Sequence, residues 1–231
     1  MITDKEINKE IFTQIFDVNK KLTIFDVGTY DGSDSLEFSK LFPNANIYSF
    51  DADPRSIQLF KKIIGRNEKI TLSTAALTNI DGYVDWYSSD SKTRRHHKFQ
   101  DFWSASSSIK KPSNHLNIFK DITFKKDKKV KSCRLDTWLL DKEEIELIDI
   151  MWVDVNGGEN EFLEGALNTI KNKVKYLYIE FNAVGDKELY EGCPNRHKII
   201  NKLDNFQLKG VYNYMGNFGN IFLKNKILED K

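Results

Sequence analysis

The sequence predicts an α/β fold built on a mostly parallel sheet flanked by helices. Three observations carry this expectation. Short apolar, β-rich runs alternate with helical segments through the first half and again after residue 148. The first of these runs ends in a glycine-rich turn that opens a helix. The last two β-rich segments face each other across a short turn, as an antiparallel pair does.

The 231 residues suit one domain spanning 1–231, long enough to bury a core without disulfides or metals. Hydrophobic residues make up 40% and charged residues 30%, and sixteen Phe with nine Tyr argue against disorder. Cys133 and Cys193 match no metal or redox spacing and read as incidental thiols in a reducing compartment. The opening MITDKEINKEIFTQIF is charged throughout, unlike a signal peptide or anchor. The most apolar stretch, Ile145–Val155, is interrupted by Glu146, Asp149 and Asp154, so no membrane insertion is expected and a cytoplasmic protein is. A net charge of +1 gives no global attraction to nucleic acid. Residues 92–131, however, hold twelve Lys or Arg against Asp101, Asp121 and Asp127, a local charge of +9.

The elements follow in order. Ile7, Ile11, Ile15 and Val18 recur at helical spacing and predict an amphipathic helix over 4–18. Leu22–Val27 is a buried strand and Gly28–Gly32 a turn. Ser33 or Asp34 can cap a helix that ends near Phe42, before Pro43. Asn46–Asp51 is the second strand, Pro54 starts a helix running to about Gly65, and Lys69–Leu77 is the third strand. Tyr83–Tyr87 returns after the Asn79–Gly82 turn. Residues 88–129 are polar and without clean periodicity, and read as a basic insertion or lid within the domain. A short strand at Val130–Leu135 and a helical piece at Asp136–Leu140 lead to a buried strand at Ile148–Val155. A helix over 159–170, a strand at Val174–Phe181 and a helix near Pro194–Leu203 follow. Phe206–Asn213 and Asn217–Lys224 close the chain as the antiparallel pair, turning at Met215-Gly216.

The turn Asp26-Val27-Gly28-Thr29-Tyr30-Asp31-Gly32 carries the first chemical signal. Glycine at a strand end lets backbone approach a ligand, and the helix behind it offers free N–H groups. Tyr30 stands where a dinucleotide fold needs its second glycine, and no Gly-Lys-Ser/Thr follows to make a P-loop. The pattern D-x-G-x-x-x-G instead resembles that of class I methyltransferases, which implies S-adenosylmethionine, with Asp26 for the ammonium and backbone N–H groups for the carboxylate. A plain βα turn punctuated by glycine fits the same residues. The second strand ends at Asp51, 23 residues after Gly28, where a carboxylate can accept both ribose hydroxyls. Asp53, just before Pro54, reads better as the start of the following helix.

Beyond this point the chain resembles the FkbM family of S-adenosylmethionine-dependent methyltransferases. FDVGTYDGSDSLEFSKLFP is similar to that family's first motif, and IYSFDADPRSIQLFKK to its second strand and helix. ITLSTAALTNIDGYVDWY, SASSSI, CRLDTWL and IDIMWVDVNGGENEFLEGALNTI resemble further family segments in the same order. The resemblance covers about residues 22–182. It implies a Rossmann-like class I methyltransferase with a mostly parallel seven-stranded sheet and a C-terminal antiparallel pair. It implies S-adenosylmethionine as methyl donor, S-adenosylhomocysteine as product, and methylation of a sugar, glycan or related small-molecule hydroxyl. By resemblance the cofactor residues are Asp26, Gly28, Thr29, Tyr30, Asp31, Gly32, Asp51, Ala52, Ala76, Leu77, Ser107 and Asp154. Asp51 replaces the family's usual Glu, and Asn156 and Gly158 replace its Glu and Ala around Gly157.

The candidate catalytic residues are Asp154, Glu180 and Glu159. Transfer from a sulfonium needs positioning, and an alcohol acceptor must lose its proton. Asp154 closes a strand at the ligand-binding edge and could be the base, orient the acceptor or touch the methionine ammonium, or could merely cap the next helix. Glu159 lies in a helix first turn, where a carboxylate is favourable in any case. Glu180 ends the apolar strand YLYIEF on the same edge. Asp154 with Asn182 or Glu180 could hold a divalent ion, but no spacing demands one and no metal is expected. His96, His97 and His115 read as solvated histidines of the basic segment, and His197 as a helix-surface residue. Ser106, Ser107 and Ser108 could cover the cofactor or form a polar loop. Phe102 and Trp103 could stack on a ring or pack the lid. The basic segment favours an anionic, for instance nucleotide-linked, acceptor, or is a solvated lysine-rich loop. The rival readings are a nucleic-acid methyltransferase and a non-catalytic binding module. Against the first, no Asn/Asp-Pro-Pro-Tyr/Phe motif is present, and Glu180 stands where a ribose 2′-O-methyltransferase would want Lys.

Overall fold

A computed structural model of the chain describes residues 2–3, 8–95, 97, 100–184, 187–214 and 218–228. The elements begin with β1 (Ile2–Thr3), a 3₁₀ helix (Lys9–Gln14), β2 (Thr23–Val27), α1 (Ser33–Leu41), β3 (Asn46–Phe50) and α2 (Pro54–Ile64). Next come β4 (Ile70–Ser73), β5 (Ala76–Leu77), β6 (Gly82–Ser91), α3 (His115–Ile118), β7 (Ile122–Cys133) and α4 (Leu135–Trp138). The chain continues with β8 (Ile148–Val153), α5 (Glu159–Lys173), β9 (Val174–Phe181), β10 (Ala183–Val184) and β11 (Lys187–Glu188). It closes with α6 (Arg196–Lys202), β12 (Phe206–Tyr214) and β13 (Phe218–Asn225).

The main sheet runs β1-β12-β13-β9-β8-β2-β3-β4. From β12 to β4 these are the seven expected strands, and β13 alone runs against its neighbours β9 and β12. The two-residue β1 adds a parallel edge to β12. β8 is central because IDIMWV is buried along its whole length. Its side chains alternate between two core layers. Met151 and Val153 pack with Phe162 and Leu163 of α5, and Ile150 and Trp152 with Phe38 of α1 and Phe60 of α2.

This order creates the site. β2 pairs with β3 on one side and β8 on the other. The chain leaves β2 toward β3 and leaves β8 toward β9, in opposite directions, so a crevice opens at their carboxyl ends. Gly28 and Asp154 follow those two ends directly.

Three expectations change. The helix over 4–18 is, in its described part, a six-residue 3₁₀ helix capped by Asn8; residues 4–7 lie outside the described residues. Its tighter repeat buries Lys9 and Phe12, while Val18 is 38% exposed. The strand at 69–77 is broken, because β4 stays in the main sheet and β5 joins a second sheet ordered β5-β7-β6. The ends of segment 88–129 are strand rather than loop. β6 and β7 pair from Gly82↔Ser132 to Ser91↔Ile122, with an irregularity at Trp86/Tyr87. That bulge, and lysines exposed along the arm, erase the alternation that would mark a strand in sequence. The turn at Met215-Gly216 lies outside the described residues.

Candidate active site

A cavity of about 340 Å³ occupies the crevice between β2 and β8. One wall is the turn after β2, where Gly28 has φ +83° and Tyr30 φ +52°. Position 28 requires glycine twice over, since a Cβ there would lie 1.7 Å from the Asp154 carbonyl oxygen. Asp51 bridges this wall to the end of β3. Its carboxylate accepts the Tyr30 N–H at 2.9 Å and the Asp53 N–H at 2.8 Å. Burial, with Asp53 nearby, pushes the Asp51 carboxyl up to about 7. Asp53 caps α2, accepting from the Arg55 backbone and side chain and from the Trp86 indole N–H at 3.2 Å. Arg55 holds Asp53 below the usual carboxylate range even though burial opposes it.

The apolar end of the cavity is formed by Ala52, Ala76, Leu77, Trp86 and Ile109. The sequence reading did not single out Trp86 or Ile109. Trp86 was findable as the large inward residue between Val84 and Ser88. Ile109 becomes part of the wall only because the serine segment folds back, with Tyr87 and Ser108 exchanging backbone hydrogen bonds.

That segment covers the site. Gln100 Nε2 donates to the Tyr30 hydroxyl at 2.6 Å, and His97 Nε2 lies 2.7 Å from Asp31 Oδ2. Ser104 meets Ser56 at 2.9 Å, Arg55 donates to Ser107 Oγ at 3.3 Å, and Ser108 Oγ donates to the Asn156 carbonyl at 2.6 Å. Asn156 in turn donates to the Ala105 carbonyl at 3.1 Å. Phe102 and Trp103 pack within the cover. Arg55 lies 5.5 Å from the Phe102 ring, and the Trp103 indole donates to Ser106 Oγ at 3.1 Å.

An acid cluster lies at the end of β8 and β9. Asp154 is exposed and lines the cavity. It does not cap α5, whose N-cap is Gly158. Glu180 is hydrogen-bonded to Asp154, and burial, then Asp154 and Glu159, raise its carboxyl well above the usual range. Glu159 is 0% exposed, accepts from Gly157 N–H at 2.9 Å and Asn182 Nδ2 at 3.0 Å, and is pushed by burial up to about 8. Its Oε2 has no partner among the described residues.

The structure therefore brings most of the expected residues together. Gly28, Thr29, Tyr30, Asp31, Asp51, Ala52, Ala76, Leu77, Ser107 and Asp154 line the cavity, whereas Asp26 and Gly32 are not in its described lining. Asp26 turns inward to the hydroxyls of Thr29 and Ser35. Burial, reinforced by Asp34, pushes its carboxyl up to about 7. Gly32 is the N-cap of α1, in place of Ser33 or Asp34, and packs where a Cβ would meet the Phe60 ring at 2.6 Å. Glu159 and Glu180 stand behind Asp154 rather than in the lining. No Lys, Arg or His is among the described lining residues, so the basic segment lines the cavity with Ser104, Ala105, Ser107 and Ile109 rather than with its charges. His115 is not solvated: it is 3% exposed among Phe119, Phe124 and Tyr190, and burial, with Arg94, lowers it to about 4. His197 is exposed as expected, and His96 lies outside the described residues.

The family model described as the methyltransferase FkbM domain matches residues 26–221. The chain belongs to the FkbM methyltransferase family. It is an S-adenosylmethionine-dependent methyltransferase. The 2-O-methyltransferase NoeI of Sinorhizobium fredii is 31% identical over 202 residues, covering 87% of this FkbM protein and 79% of the relative. Among solved structures, the METTL16 methyltransferase domain aligns with a TM-score of 0.52 at 10% identity, over 94% of this chain and 67% of that one, and shares its fold. Fibrillarin from Aeropyrum pernix, in complex with natively bound S-adenosylmethionine, aligns with a TM-score of 0.48 at 11% identity, over 90% and 68%. No helix among the described residues is long and apolar enough to cross a membrane.

Proposed function

We propose that this FkbM enzyme methylates a hydroxyl of a sugar, glycan or related small molecule, with Asp154 taking the hydroxyl proton. The observation that carries the reading is Asp154 itself, an exposed carboxylate lining the cavity with a half-buried acid, Glu180, bonded behind it. The name of the relative NoeI, a 2-O-methyltransferase, supports oxygen as the accepting atom.

The lining suits the cofactor. Ala52, Ala76, Leu77, Trp86 and Ile109 make an apolar slot for adenine. The Asp51 carboxylate suits the ribose hydroxyls, and the turn Gly28–Asp31 suits the amino-acid end. Asp31, Asp34, Asp51, Asp53 and Asp154 give the lining an acidic character that matches a sulfonium and an ammonium. In this reading Asp26 braces the turn through Thr29 and Ser35 and does not touch the ammonium. Ser107 belongs to the cover.

S-adenosylmethionine, when bound, supplies a methyl group already activated on sulfur. The residues of the chain then have two tasks, alignment and proton removal. With the donor bound, Asp154 would take the hydroxyl proton as the acceptor oxygen receives the methyl group. An anionic group on the acceptor would lie outside the cavity, toward the basic arm.

The test is a radiolabelled methyl-transfer screen over nucleotide sugars, neutral glycans and RNA, with Asp154→Ala as control. Label in a glycan or sugar hydroxyl, lost in the variant, is the expected result. Label in RNA alone would move the acceptor to nucleic acid. No labelled hydroxyl product despite bound cofactor would overturn the O-methylation reading.

A further inference from the structure

Behind Asp154 and Glu180 stands a residue that carries no charge. Asn182 is 2% exposed. Its amide nitrogen divides its hydrogens between Glu159 Oε1 at 3.0 Å and Glu180 Oε2 at 2.7 Å. Its backbone carbonyl accepts the Leu189 N–H at 2.9 Å and the Cys193 thiol at 3.0 Å, which pins the chain just past β9. Glu159 is fixed in turn by the Gly157 N–H at 2.9 Å. Gly157 is packed so closely that a Cβ would lie 2.7 Å from Tyr190. An amide can serve two carboxyls at once because it brings two donors and no charge of its own.

We propose that Asn182 is a positioning residue for methyl transfer: it fixes the Glu180 carboxyl against Asp154, so that Glu180 carries the proton of that pair and Asp154 stays ionised toward the cavity. The inference rests on Asp154 being the group that takes the acceptor's proton. Two carboxyls in hydrogen-bond contact share a proton, which stays on the less hydrated partner. Glu180 is half-buried, whereas Asp154 is exposed. Burial raises Glu180 well above the usual carboxylate range, in the same sense.

Among the described residues, the titratable groups facing Glu180 are Asp154 at the end of β8, Glu159 of α5 and Tyr190 from the loop after β11. Its register partner on β13 is Asn220, which carries no charge. The orientation set by Asn182 therefore decides which oxygen of the cluster is offered to Asp154. Without it the Glu180 carboxyl is free to turn, Asp154 loses its O–H donor, and its own proton becomes harder to remove.

The test does not depend on the acceptor. Carbon-13 NMR of protein labelled at the aspartate carboxyls and saturated with S-adenosylhomocysteine follows Asp154 through a pH titration. Loss of the resonance in Asp154→Asn assigns it. In Asn182→Ala the Asp154 midpoint is expected to rise by about one pH unit or more, with S-adenosylhomocysteine affinity changed by less than about twofold. An unmoved midpoint in a folded variant overturns the proposal. Should Asn182→Ala fail to fold, the similarly sized Asn182→Leu removes the same donors without adding a charge and is expected to raise the midpoint too; an unmoved midpoint there overturns it equally. Methyl transfer retained by Asp154→Asn would instead defeat the base assignment, whatever the midpoint does.

Discussion

A Cβ on Gly28 would lie 1.7 Å from the carbonyl oxygen of Asp154. The turn of the cofactor wall and the end of the strand that presents the candidate base are thus in direct backbone contact, joined also by the Asp154 N–H to Val27 carbonyl bond at 2.9 Å. Gly28→Ala must separate the two strand ends as well as adopt a positive φ. It is expected to destabilise the protein by about 3 kcal/mol or more and to abolish S-adenosylmethionine binding. Urea unfolding and calorimetry on the same preparation check both.

Asp51→Asn keeps the shape of the rim and removes its charge. Losing a charged acceptor for two hydroxyls is worth about 1.5–3 kcal/mol, so the dissociation constant for S-adenosylmethionine is expected to rise roughly tenfold to a hundredfold. Calorimetry reads this directly, and an unchanged constant would refute the ribose role.

The same carboxyl gives binding a pH dependence. Asp51 sits at about 7 in the ligand-free protein, above its ordinary value near 4, and the ionised form is the better acceptor of ribose hydroxyls. Affinity for S-adenosylmethionine is expected to increase as pH rises through about 7, and this rise should vanish in Asp51→Asn.

Stability of the ligand-free protein should move the other way. Asp26 and Asp51 at about 7 and Glu159 at about 8 are all raised by burial. The folded state therefore keeps protons that the unfolded chain releases from about pH 4 upward. These groups make stability fall as pH rises from about 4 to about 8 and contribute no further loss above that. Urea midpoints at several pH values check the sign, and a saturating cofactor should flatten the slope.

Asp154→Asn is expected to lower kcat by about a hundredfold or more while leaving the cofactor dissociation constant within about threefold. Separate kcat and binding measurements distinguish loss of the base from loss of the cofactor.

Lys125, Lys129 and Lys131 are exposed on β7 and outside the cavity lining. Replacing all three with Glu is expected to leave cofactor affinity unchanged. With an anionic acceptor KM should rise, and more steeply at low salt; with a neutral one it should not. The comparison of the two acceptors is the measurement.

Most of the fold was legible. The alternation of β-rich and helical runs, the glycine turn and Pro54 placed β2, α1, β3 and α2 nearly where they stand, because those signals are local. The arm was legible only at its base, where Tyr83–Tyr87 and Val130–Leu135 read as strands: the rest of β6 and β7 is held by backbone pairing with a bulge and an exposed lysine face, which leaves no periodic signature. At the site, the places of Asp51 and Asp154 in the cavity lining were legible from strand ends. That Asp26 turns inward, outside the described lining, was not legible, because the direction of its side chain depends on Thr29 and Ser35 turning back to meet it.

The sequence by itself determined the class of fold, the crevice edge of the sheet and the acids that stand along it, since strand ends and glycine turns are properties of short segments. The tertiary structure alone decided which of those acids face the cavity and which face each other. Asn182 meets Glu159 at 23 residues' separation, Ser108 meets Asn156 at 48, and the lysine-rich segment turns its charge away from the cavity it covers. Such contacts are set by sheet order and by the path of loops between strands. No local pattern of residues encodes them.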